Sequence, residues 1–481
     1  MHIQNKNKFR GLIIFTILMF STISIISAGT IKKSEIKETL DLYDLLIITP
    51  GEFEKNLIPL KNHKEKYDVK TKIVTLSEIY DVMYWEGRDN PEKIKYYIKN
   101  AYDNWGIKYV LLVGNYLKMP IRYVENQDIN KGFYEPRFIS ELYYADLYYP
   151  NGSFSSWDTN NNGIFGEWIG DSAEDKNIDL IPEVYVGRLA CKKSFEVKIM
   201  VDKIIHYETK TYEKSWFNKI IAVAGDTYKT SDNPNWTAIE GEESARLVIS
   251  YMPGFENITL FTSDDTFTGP TDIIKNVNRG CGFLYFEGHA SPRSWGTNNP
   301  NTGEFIKGLS VSNMPYLFNG YKLPVCIVGG CHNNQFDCGP KRMIEDIKND
   351  GILNYFKLNP LGRFYYNEWT PECWGWKLTR KIGGGSIATM GCSGLGMSKE
   401  DKESFSGAGD YLQPQVFYEY GMNGTDILGE CWGKSIIRYL DEYPVDWDTP
   451  AAWDYAIDAK TVQQWVLLGD PSLQIGGIKN P

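Results

Sequence analysis

Short, unbroken apolar runs alternate along the chain with longer stretches whose apolar positions recur every three to four residues. The first pattern reads as strands buried on both faces and the second as amphipathic helices, so their alternation predicts a mostly parallel sheet covered on both sides. Leu45–Thr49 (LLIIT) opens the series and stops at Pro50-Gly51. A helix is expected over about 90–105, where Ile94, Tyr97, Ile98, Ala101, Tyr102 and Trp105 share one face. Tyr109–Val113 and Glu183–Leu189 are the next strands. A helix over about 194–209, with Ser194 as its cap and an apolar stripe from Val197 to Ile205, then bridges two halves. The second half repeats the theme with strands at Ile220–Ala224, Ile258–Phe261, Gly282–Phe286, Val325–Val328 and Ser386–Met390.

Before this pattern begins, Lys6, Lys8 and Arg10 precede an almost purely apolar run from Leu12 to Ile26, and Ser27-Ala28-Gly29 follows it. A positive start, a run short for a bilayer and small residues at its end read as a secretory signal over residues 1–28, with an uncleaved anchor as the alternative. The mature chain is therefore expected to be secreted or held at the cell surface, with no membrane span. Losing three positive charges takes its net charge from −10 to −13. That acidic balance argues against nucleic acid as a partner, because phosphate neutralisation needs a basic footprint. Sequons at Asn151, Asn235, Asn257 and Asn423 are compatible with export. Eight cysteines in 481 residues are too few for a disulfide scaffold, yet enough for one reactive thiol.

In open α/β sheets, ligands bind beyond the carboxyl ends of the strands. The residues found there are Asp226 after IIAVAG, His289 after GFLYFEG, Cys331 after VCIVGG and Cys392 after SIATMG. Of five histidines, His289 alone follows a strand-like run at such a position; His332 adjoins Cys331 and points to the opposite side of an extended segment. A cysteine needs a base or a positive neighbour to form its thiolate, and an imidazole across a cleft meets that need. Asp226 could fix the imidazole tautomer as a third member. Against this stands the plainer reading, in which Cys331 is a disulfide partner near Cys326 and Cys338 and His289 a hydrogen-bonded core residue.

LYFEGHASPRSWGT and LPVCIVGGCHNNQF, in that order, resemble the two catalytic stretches of the gingipain family of cysteine peptidases, which belongs to the caspase-like clan. The family's His motif is similar to Glu287–Ala290 with Trp295-Gly296-Thr297, and its Cys motif is matched by Cys331, Asn333 and Phe336. The resemblance runs on through EVYVGRL, GSIATMG and LLGDPSL and spans about residues 43 to 475. It implies a three-layer α/β/α caspase–gingipain fold with mostly parallel sheets in two lobes. On that reading 29–192 form an N-terminal lobe, 193–216 a connecting helix, 217–475 the catalytic lobe and 476–481 a tail.

It further implies Cys331 as nucleophile, His289 as general acid/base and Asp226 as the supporting carboxylate, with the oxyanion held by the N–H groups of Cys331 and Ala290. Ala290 stands where the family has glycine, which would matter if that position needs a positive φ. Glu287, Gly288 and Trp295 fall on the substrate side, and a carboxylate at Glu287 would favour Arg or Lys at P1. The short stretches outside the matched region suggest a member made of the catalytic region alone. The expected activity is endopeptidase cleavage of protein or peptide substrates. The alternatives are an inactive surface binding protein of the same fold and a transpeptidase sharing the acyl-enzyme.

Asp158, Asn160 and Asn162, followed by Gly163 and Glu167, resemble the oxygen-rich opening of a calcium loop, although position twelve is Ile169. Ca2+ is the one cofactor expected, in a structural role, with an Asx-rich turn as the alternative. No organic cofactor is expected. Aromatic stretches at Glu141–Pro150 and Trp369–Trp376 read as packing.

Overall fold

The computed structural model describes residues 42–127, 135, 137–228, 238–352, 370–399, 407–451 and 454–479. Residues 1–28, read above as a signal, and Asn235 and Trp369 lie outside them. Two sheets organise the chain. The first has the order β2-β1-β3-β6 and is parallel throughout, built from β1 (Leu45–Thr49), β2 (Thr71–Thr75), β3 (Tyr109–Val113) and β6 (Tyr185–Leu189); β4 (Tyr123–Val124) and β5 (Phe138–Ile139) form a separate ribbon. The second has the order β15-β14-β13-β9-β7-β8, from β7 (Lys219–Ala224), β8 (Glu256–Phe261), β9 (Phe283–Glu287), β13 (Val325–Val328), β14 (Ala388–Cys392) and β15 (Trp465–Leu468). Only β15 runs antiparallel there. β10 (His289–Ala290), β11 (Ser294–Asn298) and β12 (Phe305–Ser310) make a small antiparallel sheet beside it.

The continuous apolar runs are explained by what covers them. Ile220, Ala222, Phe283, Tyr285, Val325 and Ile327 belong to one core cluster, whereas Ile221, Val223, Leu284, Phe286, Cys326 and Val328 belong to another. Successive side chains of a strand point to opposite faces, so two clusters that alternate along the same strands are the two covered faces of one sheet. Helices Glu240–Ser250 and Ala408–Gly421 lie on the first face, where Phe417 meets Phe283 and Tyr285 at ring separations of 5.8 and 5.5 Å. Trp374 closes the other against Phe286, 5.3 Å away.

Predicted helices at 90–105 and 194–209 are observed as Asn90–Trp105 and Ser194–Lys210. Ser194 is not the cap: Lys193 holds the extended cap position, and Glu196 reaches back to accept the N–H of Lys192 and Lys193 at 2.5 and 3.3 Å. From Leu42 onward the described residues form one compact unit. A Cβ on Gly187 of β6 would sit 2.5 Å from the Gly469 carbonyl, so glycine is what lets the first sheet approach the segment after β15.

The same seam holds a fully buried charge network. Lys64 Nζ lies 2.8 Å from Glu208 and 2.9 Å from Asp470, and Glu208 also meets His63 Nε2 at 2.8 Å. Burial works against the Glu208 charge, but Lys64 and His63 outweigh it and hold its carboxyl below the usual carboxylate range. A lowered carboxylate stabilises the fold above its ordinary range, and that stabilisation disappears as pH falls through the lowered value. Lys64→Met would leave Glu208 and Asp470 buried without their cation. Urea unfolding is expected to show a loss of about 3–5 kcal/mol at neutral pH, shrinking as pH falls through the carboxylate range.

Candidate active site

Parallel register places the site. β9 lies between β7 and β13, with Ala224 opposite Glu287 and Phe286 opposite Val328, while Val328 also faces Gly391 of β14. The carboxyl ends of all four strands therefore open on one side. Thr227, Glu287, Gly288, His289, Ala290, Gly330, Cys331, Cys392, Leu395, Met397, Ser398, Asp410 and Gln413 line a common cavity there of about 320 Å³. At ~30 Å³ of liquid per water molecule, that space accepts a long side chain.

Two glycines let the Cys and His segments touch. Gly330 has φ +97° and Gly288 φ +155°. A Cβ on Gly330 would lie 2.5 Å from the Ala290 nitrogen and 2.7 Å from the Gly288 carbonyl. Ala290 itself is not among the residues of positive φ, so its side chain is tolerated without strain.

His289 is exposed at the cavity mouth, and its Nε2 lies 2.8 Å from the Thr227 carbonyl oxygen. With Nε2–H donating there, Nδ1 is the unprotonated ring nitrogen. That carbonyl also accepts from Asn298 Nδ2 at 3.2 Å, and the Thr227 N–H is turned toward Glu240. Asp226 sits one residue upstream, buried, with its backbone bridged to Asn298 and its carboxyl hydrogen-bonded to Glu240. A backbone carbonyl as the imidazole's partner leaves no trace in residue types, which is why sequence reasoning looked only to the carboxylate.

Cys331 is half-buried, with Sγ 3.8 Å from the Gly396 carbonyl, and burial pushes its thiol up to about 11. None of the eight cysteines is in a disulfide, and the other seven are buried. Glu287 is not a rim residue: it lies under the cavity, accepting from the Tyr285 hydroxyl at 2.8 Å and the Gly288 N–H at 3.2 Å. Burial and the nearby Asp410 push its carboxyl up to about 8. Asp410, which takes a hydrogen bond from Ser398, is raised to about 7 by burial, with Glu240 adding to the effect. Sequence reasoning missed Asp410; it comes from a helix far along the chain, and nothing local marks it.

Trp295 is a correction. Its ring is 1% exposed and packs against Phe286 and Phe267 at 4.9 and 5.9 Å, with its face closed by Gly308, so it is core and not a substrate contact. The apolar second face of the sheet needs a large ring there, and that demand is what the residue answers.

Asp158, Asn160, Asn162 and Glu167 do share one loop. Asp158 accepts the N–H groups of Asn162 and Gly163, both at 3.0 Å, and pairs with the Arg88 guanidinium. Asn160 and Asn162 turn their amide nitrogens toward Glu167 Oε2, at 3.3 and 2.6 Å, and their oxygens toward backbone N–H groups. Among the described residues no cluster of three His, Cys, Asp or Glu side chains is suited to a metal. The arrangement does not fit a calcium cage, because Arg88 supplies the positive charge and N–H donors occupy the oxygens.

The chain matches the model of peptidase family C25 over residues 39–476. Gingipain R2 of Porphyromonas gingivalis is 21% identical over 279 residues, covering 57% of this chain and 31% of that protein. Lys-gingipain of the same organism is 26% identical over 201 residues, covering 39% of this chain and 10% of its own length. The chain thus spans less than a third of these curated relatives. Among solved structures, the Arg-specific cysteine proteinase gingipain R (RgpB) aligns at TM-score 0.57 with 18% identity, over 92% of this chain and 79% of that one. The complex of the Porphyromonas gingivalis RgpB pro- and mature domains gives 0.58 with 17% identity, over 90% and 79%. At these identities the structural likenesses show the fold, a gingipain-type caspase-like α/β architecture.

Because Arg88 already closes the acidic loop, a calcium chelator is expected to leave the thermal midpoint of the purified protein unchanged, while Arg88→Ala lowers it. A midpoint that falls on chelation and returns with added calcium would place an ion in the loop.

Proposed function

The chain belongs to peptidase family C25, and from that premise we propose that it is a cysteine endopeptidase cleaving after basic P1 residues. The observation that carries this reading is the shared cavity: Cys331 and His289 stand at the ends of neighbouring strands and face one space underlain by acidic groups.

With its thiol pushed up to about 11, Cys331 rests protonated at neutral pH. Attack on the scissile carbonyl therefore proceeds with transfer of the Sγ proton to the unprotonated Nδ1 of His289. The N–H groups of Cys331 and Ala290 receive the charge that develops on the carbonyl oxygen. The imidazolium then protonates the leaving amine, and water hydrolyses the thioester by the reverse sequence. Thr227 keeps the ring in the tautomer this requires; Asp226 and Asn298 act through the backbone that carries Thr227.

The solved relative described as Arg-specific lends support to a basic P1 preference, and this chain has its own physical reason for one. Glu287 is buried and Asp410 half-buried, neither pairs with a cation among the described residues, and desolvation keeps both partly protonated near neutrality. A guanidinium or ammonium entering the cavity would favour their charged forms, with charge-assisted hydrogen bonds in return. We further infer export, from the apolar run Leu12–Ile26 and its flanks. Among the described residues no helix is long and apolar enough to cross a membrane.

The test compares reporter peptides ending in Arg or Lys with peptides ending in Asn or Ala, using wild type, Cys331→Ala and Asp410→Asn. Cys331→Ala is expected to be inactive. Taking the ratio of kcat/KM between basic and neutral reporters cancels the ionisation of Cys331 and His289. In wild type that ratio is expected to rise as pH passes upward through about 7 to 8, because the acids must be charged to hold the cation. Asp410→Asn should lower it about tenfold or more. A ratio near one at every pH contradicts the basic preference, and equal activity of Cys331→Ala contradicts the nucleophile.

A further inference from the structure

His332, next to the nucleophile, has φ +56°. A non-glycine residue in the left-handed region is strained and persists only where its surroundings hold it. Here they do. The His332 N–H donates to the Gly394 carbonyl at 2.8 Å, and its buried ring places Nδ1 3.0 Å from Gln335 Oε1 and Nε2 3.4 Å from Glu135 Oε1.

Glu135 comes from the N-terminal lobe, between β4 and β5, yet is 6% exposed behind the cysteine. Both its oxygens accept the Leu395 N–H at 3.0 Å, and Lys460 Nζ lies 2.8 Å from Oε2. Lys460 is fully buried on the helix Asp454–Gln464. Leu395 and Gly396 wall the cavity, and Gly396 supplies the carbonyl nearest the Cys331 sulfur. Four separate segments thus meet on the side of the cysteine turn that faces away from the substrate, around groups the proposed chemistry never uses. Desolvating a carboxylate and an ammonium is expensive, and a merely structural contact could be met by apolar residues.

We propose that Glu135 is a positioning residue for the nucleophile: anchored by Lys460, it holds the His332 ring and the Leu395 backbone so that the turn carrying Cys331 faces His289. Activity then depends on the N-terminal lobe delivering Glu135 to the back of the site. The proposal rests on the cysteine-peptidase reading above.

Two signatures separate positioning from simple stability. The first is steric. Glycine adopts positive φ freely, so His332→Gly should keep the fold while freeing the turn from its anchor. Its kcat is expected to fall about tenfold to a hundredfold, as for a reacting group displaced by ~1 Å, with KM little changed. His332→Asn, which tolerates the left-handed region and keeps a polar side chain toward Glu135, should recover part of the loss.

The second signature is electrostatic. The charged and titratable groups around Cys331 and His332 include Glu135, Lys460, Asp337 and Cys392, with His289 on the same cavity. Glu135 pushes the Cys331 thiol up and Lys460 pulls it down. Glu135→Gln should therefore move the pH midpoint of iodoacetamide alkylation at Cys331 downward, and Lys460→Met should move it upward. Peptide mapping of the alkylated protein reads the midpoint whether or not a reporter is cleaved. If the wild type alkylates at Cys331 but cuts no peptide, the peptidase reading fails while the midpoints still judge this proposal. If Glu135→Gln does not fold, His332→Gly decides. Wild-type kcat in His332→Gly, or unmoved midpoints in folded Glu135→Gln and Lys460→Met, overturns it.

Discussion

The backbone register of β9 between β7 and β13 is the constraint from which the rest follows. Ala224 opposite Glu287 and Phe286 opposite Val328 bring Thr227, His289 and Cys331 to one edge of the sheet. A slip of one residue would exchange the two covered faces, sending Phe283 and Tyr285 to the side built for Leu284 and Phe286. Both faces are packed, so the slip is excluded by the whole core rather than by a local contact. The placing of His289 and Cys331 at one sheet edge is thus inherited from hydrophobic burial. The glycines at 288 and 330 add only the last adjustment, letting the two backbones approach until Ala290 and Gly330 touch.

Around that frame the protein buries an unusual amount of charge, and it does so in two manners. Lys64 with Glu208 and Asp470, and Lys460 with Glu135, are paired networks that join segments distant in sequence. Under the cavity, by contrast, Glu287 is raised by burial and by Asp410, and Asp410 by burial and by Glu240. A carboxyl kept partly neutral is a poor contributor to stability once the pH rises, yet it is poised to gain when a cation arrives. That contrast between acids paired with a cation and acids held by neutral donors distinguishes the scaffold from the site.

Much of this was legible in the sequence. Unbroken runs such as LLIIT and YVLLV must be buried on both faces, and the position after each run is where parallel sheets open. Residue type and place thus put His289 and Cys331 on a short list with Asp226 and Cys392, from which the motif resemblance picked out the pair. Other parts were not legible for definite reasons. The Thr227 carbonyl that holds the imidazole is backbone and carries no residue signature. Asp410 reaches the cavity from a helix beyond β14. Trp295 sits in a motif beside the histidine, but the alternation of β11 turns it into the second core cluster. Asp158 and its asparagines have a cation-binding spacing, and only the fold reveals Arg88 against them. Glu135 was invisible for the same reason: its partners His332, Leu395 and Lys460 lie some two hundred residues or more away along the chain.

The central claim is that one thiol of eight is the nucleophile and that it looks into a cavity suited to a cation. An irreversible peptidyl reagent with lysine or arginine at P1 tests both parts at once. Labelled native protein would be digested and every cysteine-containing peptide weighed, alongside an equal sample treated with a reagent bearing alanine. The account predicts a single adduct, on Cys331, formed much faster with the basic reagent and absent from Cys331→Ala. Adducts spread over several cysteines, or an adduct on Cys331 formed equally fast with alanine at P1, would contradict it.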